Sequence, residues 1–224
     1  MCTIFAAQPF LLDTPEILPY ENLAIEVAEK GFAIVDDFLS ATEVAAVLEV
    51  LDKRRDGDEF HKAGVGSGTD YKQLHNLRGD YIRWIEPQNA LPPTQVFLER
   101  VTAAMQTLNR VCYLGLKDFE THFTYYPADS RYARHLDQFK ADDHRRISFV
   151  CYLNTAWKPG DGGELRIFLP KGDGTEDTLD VEPIAGRLVC FRADTVEHEV
   201  LTAHKTRYSL TGWMLDQYQE LKFL

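Results

Sequence analysis

The chain has 224 residues, 45% of them hydrophobic, and a formal net charge of −11 at neutral pH. This length fits one domain with a sizeable core, and the acidic balance argues against nucleic-acid binding, which depends on Lys and Arg neutralising phosphates. Residues 1–15 lack a basic start and contain Pro9, so they make a poor signal peptide, and no apolar run reaches membrane-spanning length. We therefore expect a soluble cytoplasmic protein with reduced cysteines and neither a nucleic-acid nor a membrane partner.

The first half of the sequence predicts helices joined by short connections. Apolar residues recur at helical spacing over 20–30, from 44 onward, and over 92–110. FAIV at 32–35 predicts a buried strand, and SATE at 40–43 has the pattern of a helix capping box.

Residues 57–80 separate the second predicted helix from the third. They are rich in Gly and polar residues and show no helical period. A long loop of this kind is typical either of a functional lid or of an untidy surface segment, and the sequence favours neither.

From Asp118 onward the apolar period changes to two, which predicts strands. Turn signals rich in Gly and Pro lie at 158–163 and 171–174. The candidate strands are 119–126, 131–137, 146–153, 163–169, 178–182, 187–193, 197–203 and 207–215. Many short strands without intervening helices favour a sandwich, a jelly roll or a barrel.

One of these strands, RYARHLD at 131–137, carries an imidazole and a carboxylate between apolar neighbours. Strict alternation places His135 and Asp137 on one face and Tyr132 on the other. The HxD pair alone is weak evidence for a metal site, because a solvent-exposed polar strand face is the more common explanation. His198, in a distant predicted strand, can join the pair in a jelly roll. Two imidazoles and one carboxylate form the facial triad of non-haem Fe(II) oxygenases.

Arg207 follows His198 by nine residues, in the motif RYS. A guanidinium binds a carboxylate through two parallel hydrogen bonds. Arg207 is therefore a candidate for holding the far carboxylate of an organic acid chelated to the metal, although an isolated strand arginine is more often a surface residue.

Together these segments resemble 2-oxoglutarate/Fe(II) dioxygenases, and in particular the prolyl hydroxylases that act on hypoxia-inducible factor and their bacterial relatives. The resemblance runs from about Arg78 to Leu215. It is carried by RGDYIRWIE (78–86), YYP (125–127), HLD (135–137), CYLN (151–154), GGELRIF (162–168), His198 and RYSLTGW (207–213).

The resemblance implies a mainly β fold, a double-stranded β-helix of the cupin-like jelly-roll type, with N-terminal α-helices packed on one sheet. Residues 1–224 would form a single catalytic domain. Within it, 1–117 would supply the helical support and the lid at 57–80, 118–215 the β core, and 216–224 a C-terminal tail.

The resemblance also implies the roles of individual residues. His135, Asp137 and His198 would be the catalytic metal ligands for Fe(II). Arg207 and Tyr152 would hold the cosubstrate 2-oxoglutarate, with Tyr126 near its chelating end. The spacing between YYP and HLD is one residue shorter than in the animal enzymes, which leaves Tyr125 as the alternative to Tyr126.

Other matched residues would contact the substrate. Tyr132 and Trp213 would lie beside the target proline, and Arg78 and Asp80 would pin the lid. Arg145 is a candidate contact to the substrate, with a solvated strand start as its default interpretation. The remaining histidines have no recognisable partners and are expected to be structural or exposed; they are His61, His75, His122, His144 and His204.

The predicted activity is protein prolyl 4-hydroxylation with Fe(II), O2 and 2-oxoglutarate, releasing succinate and CO2, as in oxygen sensing. Ascorbate is a further candidate cofactor, and elongation factor Tu is the candidate protein substrate. One alternative is an oxygenase of the same class that acts on a free amino acid or other small molecule. A second is a non-catalytic metal-binding sensor module on the same fold.

Overall fold

The structure is a computed structural model that describes residues 20–64, 78–138 and 143–218. Its helices are α1 (Glu21–Lys30), α2 (Ala41–Asp56), a 3₁₀ helix (Pro87–Asn89) and α3 (Pro92–Cys112). Its strands are β1 (Phe32–Val35), β2 (His61–Lys62), β3 (Tyr81–Trp84), β4 (Asp118–Tyr126), β5 (Ser130–His135), β6 (Arg145–Tyr152), β7 (Leu165–Pro170), β8 (Glu176–Val181), β9 (Leu188–Arg192), β10 (His198–Ala203) and β11 (Arg207–Leu215).

The strands form two antiparallel sheets. The large sheet has the order β1-β9-β6-β11-β4-β3-β2, and the small sheet has the order β5-β10-β7-β8. Several neighbours in each sheet are distant in sequence, as in β9 beside β6 and β10 beside β5. This is the jelly roll of a double-stranded β-helix, so the predicted fold class is confirmed.

The central strands of the large sheet bury both of their faces. On β6, Phe149 and Cys151 belong to a core that the sheet shares with the helices. Val150 and Tyr152 point the opposite way, into a second core shared with the small sheet. Burial on both faces explains why RISFVCYL is an almost unbroken apolar run rather than an alternating one.

The helices pack on one face of the large sheet, as predicted. Phe97 of α3 lies against Phe149, with ring centroids 6.2 Å apart. The predicted capping box starts α2: Ser40 Oγ accepts from the Glu43 amide at 3.3 Å, and Glu43 Oε2 accepts from the Ser40 amide at 2.7 Å. Glu43 also pairs with Arg100 of α3 at 2.6 Å, so the cap links two helices.

All eight predicted strands of the second half are confirmed. The predicted loop at 57–80 is partly wrong, because β2 lies within it and pairs with Tyr81 and Ile82 of β3. A two-residue strand carries no periodicity and is defined only by its partner. Residues 65–77 of the predicted loop lie outside the described residues. The division into support, core and tail stays a prediction.

The structure tests the expected absence of a membrane span and the expected reduced cysteines only for the residues that it describes. In the segments that are described, no helix is long and apolar enough to cross a membrane. Cys112, Cys151 and Cys190 are free thiols, and Cys2 lies outside the described residues.

Candidate active site

Two neighbouring strands of the small sheet bring the predicted metal ligands together. His135 ends β5 and His198 begins β10, and the two residues are paired across the strands. Asp137 follows β5, with its Oδ1 3.4 Å from His135 Nε2 and its Oδ2 3.8 Å from His198 Nε2. One ligand atom from each residue lies within 4.8 Å of the others, a spacing that can hold a metal ion.

The predicted alternation along this strand is wrong for Tyr132. His198 pairs with His135, but Val200 pairs with Tyr132, so two residues of β5 lie opposite one of β10. This β-bulge turns Tyr132 to the same side as His135. The two rings stack with centroids 3.7 Å apart, which places the tyrosine beside the metal ligands.

Hydrogen bonds fix the orientation of all three ligands. His135 Nδ1 lies 2.7 Å from the Ala133 carbonyl, and His198 Nδ1 lies 3.1 Å from the Val196 carbonyl. Because a carbonyl only accepts, each Nδ1 carries the proton and each Nε2 keeps a free lone pair for a metal. Ser148 Oγ donates to Asp137 Oδ2 at 2.6 Å.

The charges of the ligands also suit a cation. Burial lowers the pKa of His198 to about 4, so this imidazole is neutral at neutral pH. Burial opposes ionisation of Asp137, but its interactions with His198 and His135 and the Ser148 hydrogen bond hold its pKa well below the ordinary value. Two imidazoles and one carboxylate are the donor set that Fe(II) takes in facial-triad oxygenases.

A second polar centre lies on the large sheet. Arg207 is only 2% exposed, donates from Nε to the Gly163 carbonyl at 2.9 Å, and lies over the rings of Tyr126 and Tyr152 at 5.1 and 4.8 Å. Among the described residues no carboxylate pairs with this guanidinium, and the buried Tyr152 hydroxyl has no hydrogen-bond partner. An unpaired buried cation beside an unpaired buried hydroxyl fits the far carboxylate of 2-oxoglutarate.

The structure decides between the two tyrosines of YYP. Tyr126 borders the same cavity as the metal ligands. Tyr125 points to the other face of β4, where its ring stacks on Tyr81 at 5.0 Å and contacts Phe60. Of the two, Tyr126 is therefore the tyrosine that borders the cavity.

Two arginines lie at the margins of this cavity. Arg78 binds the buried Asp80, with Nε 2.7 Å from Oδ1, and covers the Tyr132 ring at 4.5 Å. Burial opposes the charge of Arg78, but Asp80 more than offsets this and raises the pKa of the guanidinium. Arg145 stacks on Trp213 at 3.6 Å and pairs with Glu120 at 2.6 Å, so its default interpretation as a solvated strand start is wrong.

A cavity of about 700 Å³ joins these groups. All the predicted site residues border it except Tyr152, which lies beside Arg207. Sequence reasoning missed Ser148, which orients Asp137, and His122, which is buried and lines the cavity. A signal existed for both, since His122 lies four residues before Tyr126 and Ser148 four before Tyr152, on the same face of their strands.

The other histidines have different environments. His61 also borders the cavity, although its side chain is exposed. His144 pairs with Asp216 at 2.9 Å, His204 is largely exposed, and His75 lies outside the described residues.

Comparisons with known proteins agree with this geometry. Residues 121–215 match the sequence model of the 2OG-Fe(II) oxygenase superfamily. The crystal structure of a Pseudomonas putida prolyl-4-hydroxylase is 39% identical, with a TM-score of 0.77, and the match covers 88% of this chain and 98% of that one. Prolyl hydroxylase EGLN3 of Mus musculus is 31% identical over 222 residues, which cover 89% of this chain and 86% of that protein.

Egl nine homolog 1 of Mus musculus is 30% identical over 89% of this chain but only 51% of its own length. The chain thus spans about half the length of that relative. The matches to EGLN3 and to the Pseudomonas enzyme, in contrast, cover most of both proteins. The chain belongs to the 2OG-Fe(II) oxygenase superfamily, whose members use Fe(II) and 2-oxoglutarate, and within it is a relative of the hypoxia-inducible-factor prolyl hydroxylases.

Proposed function

We propose that this chain is a protein prolyl 4-hydroxylase that uses Fe(II), O2 and 2-oxoglutarate and releases succinate and CO2. One observation carries the proposal. Three metal-ligand atoms within 4.8 Å of one another border the same cavity as the buried Arg207, with which no carboxylate of the described residues pairs. Two of the similar proteins are named as prolyl hydroxylases, which supports proline as the target.

The residues proposed to bind the metal and those proposed to bind the cosubstrate lie on different sheets. His135, Asp137 and His198 would hold the iron, while Arg207 and Tyr152 would hold the far carboxylate of 2-oxoglutarate. Iron, cosubstrate and O2 together supply the oxidising power that turns a proline C–H bond into C–OH.

The cavity walls would orient the target proline and exclude water from it. Tyr132 stacks on His135, so it presents an aromatic surface next to the metal ligands. Arg145 holds the Trp213 ring from one side, and this ring would supply a second aromatic surface. Val150 and Phe191 add apolar lining, which keeps water away from the reacting carbon.

The ion pair of Arg78 and Asp80 would fix one end of the lid predicted at 57–80. Arg78 Nη1 also donates to the Gly64 carbonyl at 2.9 Å. Gly64 is the last described residue before 65–77. The same guanidinium therefore ties both ends of that segment to the edge of the cavity.

The direct test incubates the protein with Fe(II), 2-oxoglutarate and purified elongation factor Tu, the candidate substrate. We expect succinate release and one proline-containing peptide heavier by one oxygen atom, measured by mass spectrometry. Asp137→Ala removes the only anionic ligand and should abolish both signals. Asp143→Ala changes an exposed carboxylate nearby and should leave both unchanged.

A wider search covers a different protein substrate. Proteomes of the host with and without the chain are compared for prolines that gain one oxygen. Substantial succinate release by Asp137→Ala, with iron as the only metal, would contradict the metal assignment. Turnover that a small molecule alone stimulates would contradict a protein substrate, and the absence of all turnover would favour a sensor module.

Oxygen sensing in the cytoplasm remains the proposed setting. The free thiols of Cys112, Cys151 and Cys190 support a reducing compartment, where disulfides rarely persist.

A further inference from the structure

His122 is a buried polar side chain that has one unused nitrogen. It is 2% exposed and borders the cavity. Its Nδ1 lies 2.8 Å from Thr124 Oγ1 and 3.3 Å from the carbonyl of Phe123. Its Nε2 has no hydrogen-bond partner in the part of the chain that the structure describes. Because the residue lines the cavity, this nitrogen is available to a ligand that binds there.

The neighbours of Nδ1 indicate which nitrogen carries the proton. The carbonyl of Phe123 can only accept, and the Thr124 hydroxyl can accept as well, so a proton on Nδ1 satisfies both contacts. This tautomer leaves a lone pair on Nε2. Burial, aided by the nearby positive charge of Arg78, lowers the pKa of His122 to about 3. The ring is therefore neutral at neutral pH, and its Nε2 is a hydrogen-bond acceptor.

Aromatic contacts hold the imidazole in place. The Trp84 ring meets it edge to face, with centroids 4.9 Å apart, and the Trp213 ring lies 5.5 Å away. His122 is also paired across the strands with Thr211, two residues from Trp213. A ring packed in this way cannot turn its free nitrogen away at low cost, so the acceptor is preorganised next to the proposed position of the proline.

We propose that Nε2 of His122 accepts a hydrogen bond from a substrate peptide N–H next to the target proline. The inference rests on the proposed function, because it takes Trp213 as a neighbour of that proline. Proline has no N–H of its own, so the donor belongs to a residue beside it in the chain. A substrate without that donor leaves this acceptor without a partner and therefore binds more weakly.

The experiment removes one peptide N–H at a time. The probes are a blocked glycine–proline–glycine amide and two analogues in which N-methylglycine replaces either glycine. Binding of each peptide to the Mn(II)-loaded protein in the presence of 2-oxoglutarate is measured by tryptophan fluorescence. Hydroxylation of each peptide by the Fe(II)-loaded protein is measured separately by mass spectrometry. For the wild type, one of the two analogues should bind about 2- to 10-fold more weakly than the parent peptide, the range of one net hydrogen bond.

The variants separate the hydrogen bond from simple crowding by the methyl group. His122→Phe keeps an aromatic ring between Trp84 and Trp213 but has no acceptor, so it should bind parent and analogue equally. His122→Gln restores an acceptor oxygen and should recover part of the difference. Thermal unfolding shows whether each variant folds, and His122→Leu replaces the Phe variant if that one does not.

The outcomes distinguish the inference from the function on which it rests. An equal methylation penalty in wild type and His122→Phe, or no penalty in the wild type, would overturn the role of His122 while the hydroxylase activity stands. A wild type that neither binds nor hydroxylates any of the three peptides would overturn this inference, while succinate release with the whole protein substrate tests the proposed function separately.

Discussion

At the scale of single residues, Arg207 shows how burial prepares a binding site. Its only described hydrogen bond goes from Nε to the Gly163 carbonyl, and the faces of two tyrosines cover the rest. Burying a cation without an anion is costly, and cation–π contacts offset only part of that cost. The folded protein therefore has an unmet electrostatic interaction that a carboxylate can satisfy.

Arg207→Ala should weaken the cosubstrate complex strongly. Loss of one partner of a buried charge pair costs about 2 to 5 kcal/mol, so the KM for 2-oxoglutarate should rise about 30-fold or more. Arg207→Lys should recover only part, because an ammonium lacks the paired donors of the guanidinium. Succinate release against 2-oxoglutarate concentration measures this. Arg166→Ala, at an exposed ion pair on β7, is the control, and an unchanged KM in Arg207→Ala would remove Arg207 from the site.

His122 should make the stability of the protein sensitive to acid. Its pKa falls from an ordinary 6.5 to about 3 on folding, so between these pH values the unfolded chain binds one more proton than the folded one. The contribution of the neutral His122 to the free energy of unfolding is therefore complete above pH 6.5 and decreases as the pH falls. Between pH 6.5 and 4.5 the loss is about 2 kcal/mol.

Urea unfolding at these two pH values measures the effect. His122→Phe should lose about 2 kcal/mol less than the wild type does over the same interval. His204→Phe replaces a histidine that is 60% exposed and should retain the wild-type dependence. Equal pH dependence in wild type and His122→Phe would mean that His122 is charged in the folded protein.

The residue scale also shows what a single sequence can reveal. The triad was predictable because HxD and a distant histidine form a known donor set. Arg207 was assigned only through the family resemblance of its RYS motif, because an isolated strand arginine is more often a surface residue. His122 was harder to identify, because its one sequence signal, a position on the same strand face as Tyr126, has many explanations. Its burial and its place in the cavity lining, which depend on neighbouring strands, mark it as part of the site.

At the scale of elements, β1 and the strands from β4 onward were predictable, whereas β2, β3 and the strand pairing were not. The period of two identified β4 to β11, yet the bulge in β5 that turns Tyr132 towards the metal ligands depends on its register with β10. The two-residue strand β2 depends in the same way on β3. Register is a property of two segments together, so no local pattern in either one reports it.

The turn before β7 positions Arg207, which gives a prediction at this scale. Gly163 has a φ of +68°, and a Cβ there would lie 3.1 Å from Arg207 Cδ. Gly163→Ala should therefore shift the guanidinium and raise the KM for 2-oxoglutarate several-fold, on top of a backbone cost of about 1 kcal/mol.

Gly160 in the same turn is the matched control. Its φ is +91°, but a Cβ there would meet nothing within 4 Å. Gly160→Ala should lower the unfolding free energy to a similar degree while leaving the KM for 2-oxoglutarate unchanged. If both variants raise that KM equally, the effect comes from general strain in the turn and not from displacement of Arg207.

At the scale of the whole molecule, the two proposed ligands have different structural consequences. Two metal ligands lie on β5 and β10 and the third, Asp137, lies two residues beyond β5, so a metal would crosslink segments on the side of the small sheet. The proposed cosubstrate residues Arg207, Tyr126 and Tyr152 lie on β11, β4 and β6 of the large sheet. A molecule that binds both the metal and Arg207 would therefore connect the two sheets.

This arrangement predicts two separable increases in thermal stability. A ligand that binds only the folded state at 100 times its Kd stabilises it by about 2.7 kcal/mol, which corresponds to about 5 to 10 °C for a chain of this size. Mn(II), which occupies such sites without turnover, should raise the Tm by this order. 2-Oxoglutarate should add a second increase only when the metal is present.

Asp137→Ala should lose both increases, whereas Arg207→Ala should keep the first and lose most of the second. Differential scanning fluorimetry with and without each ligand measures both, with Arg166→Ala as the control. A full second increase in Arg207→Ala would show that the cosubstrate does not reach the large sheet through this residue.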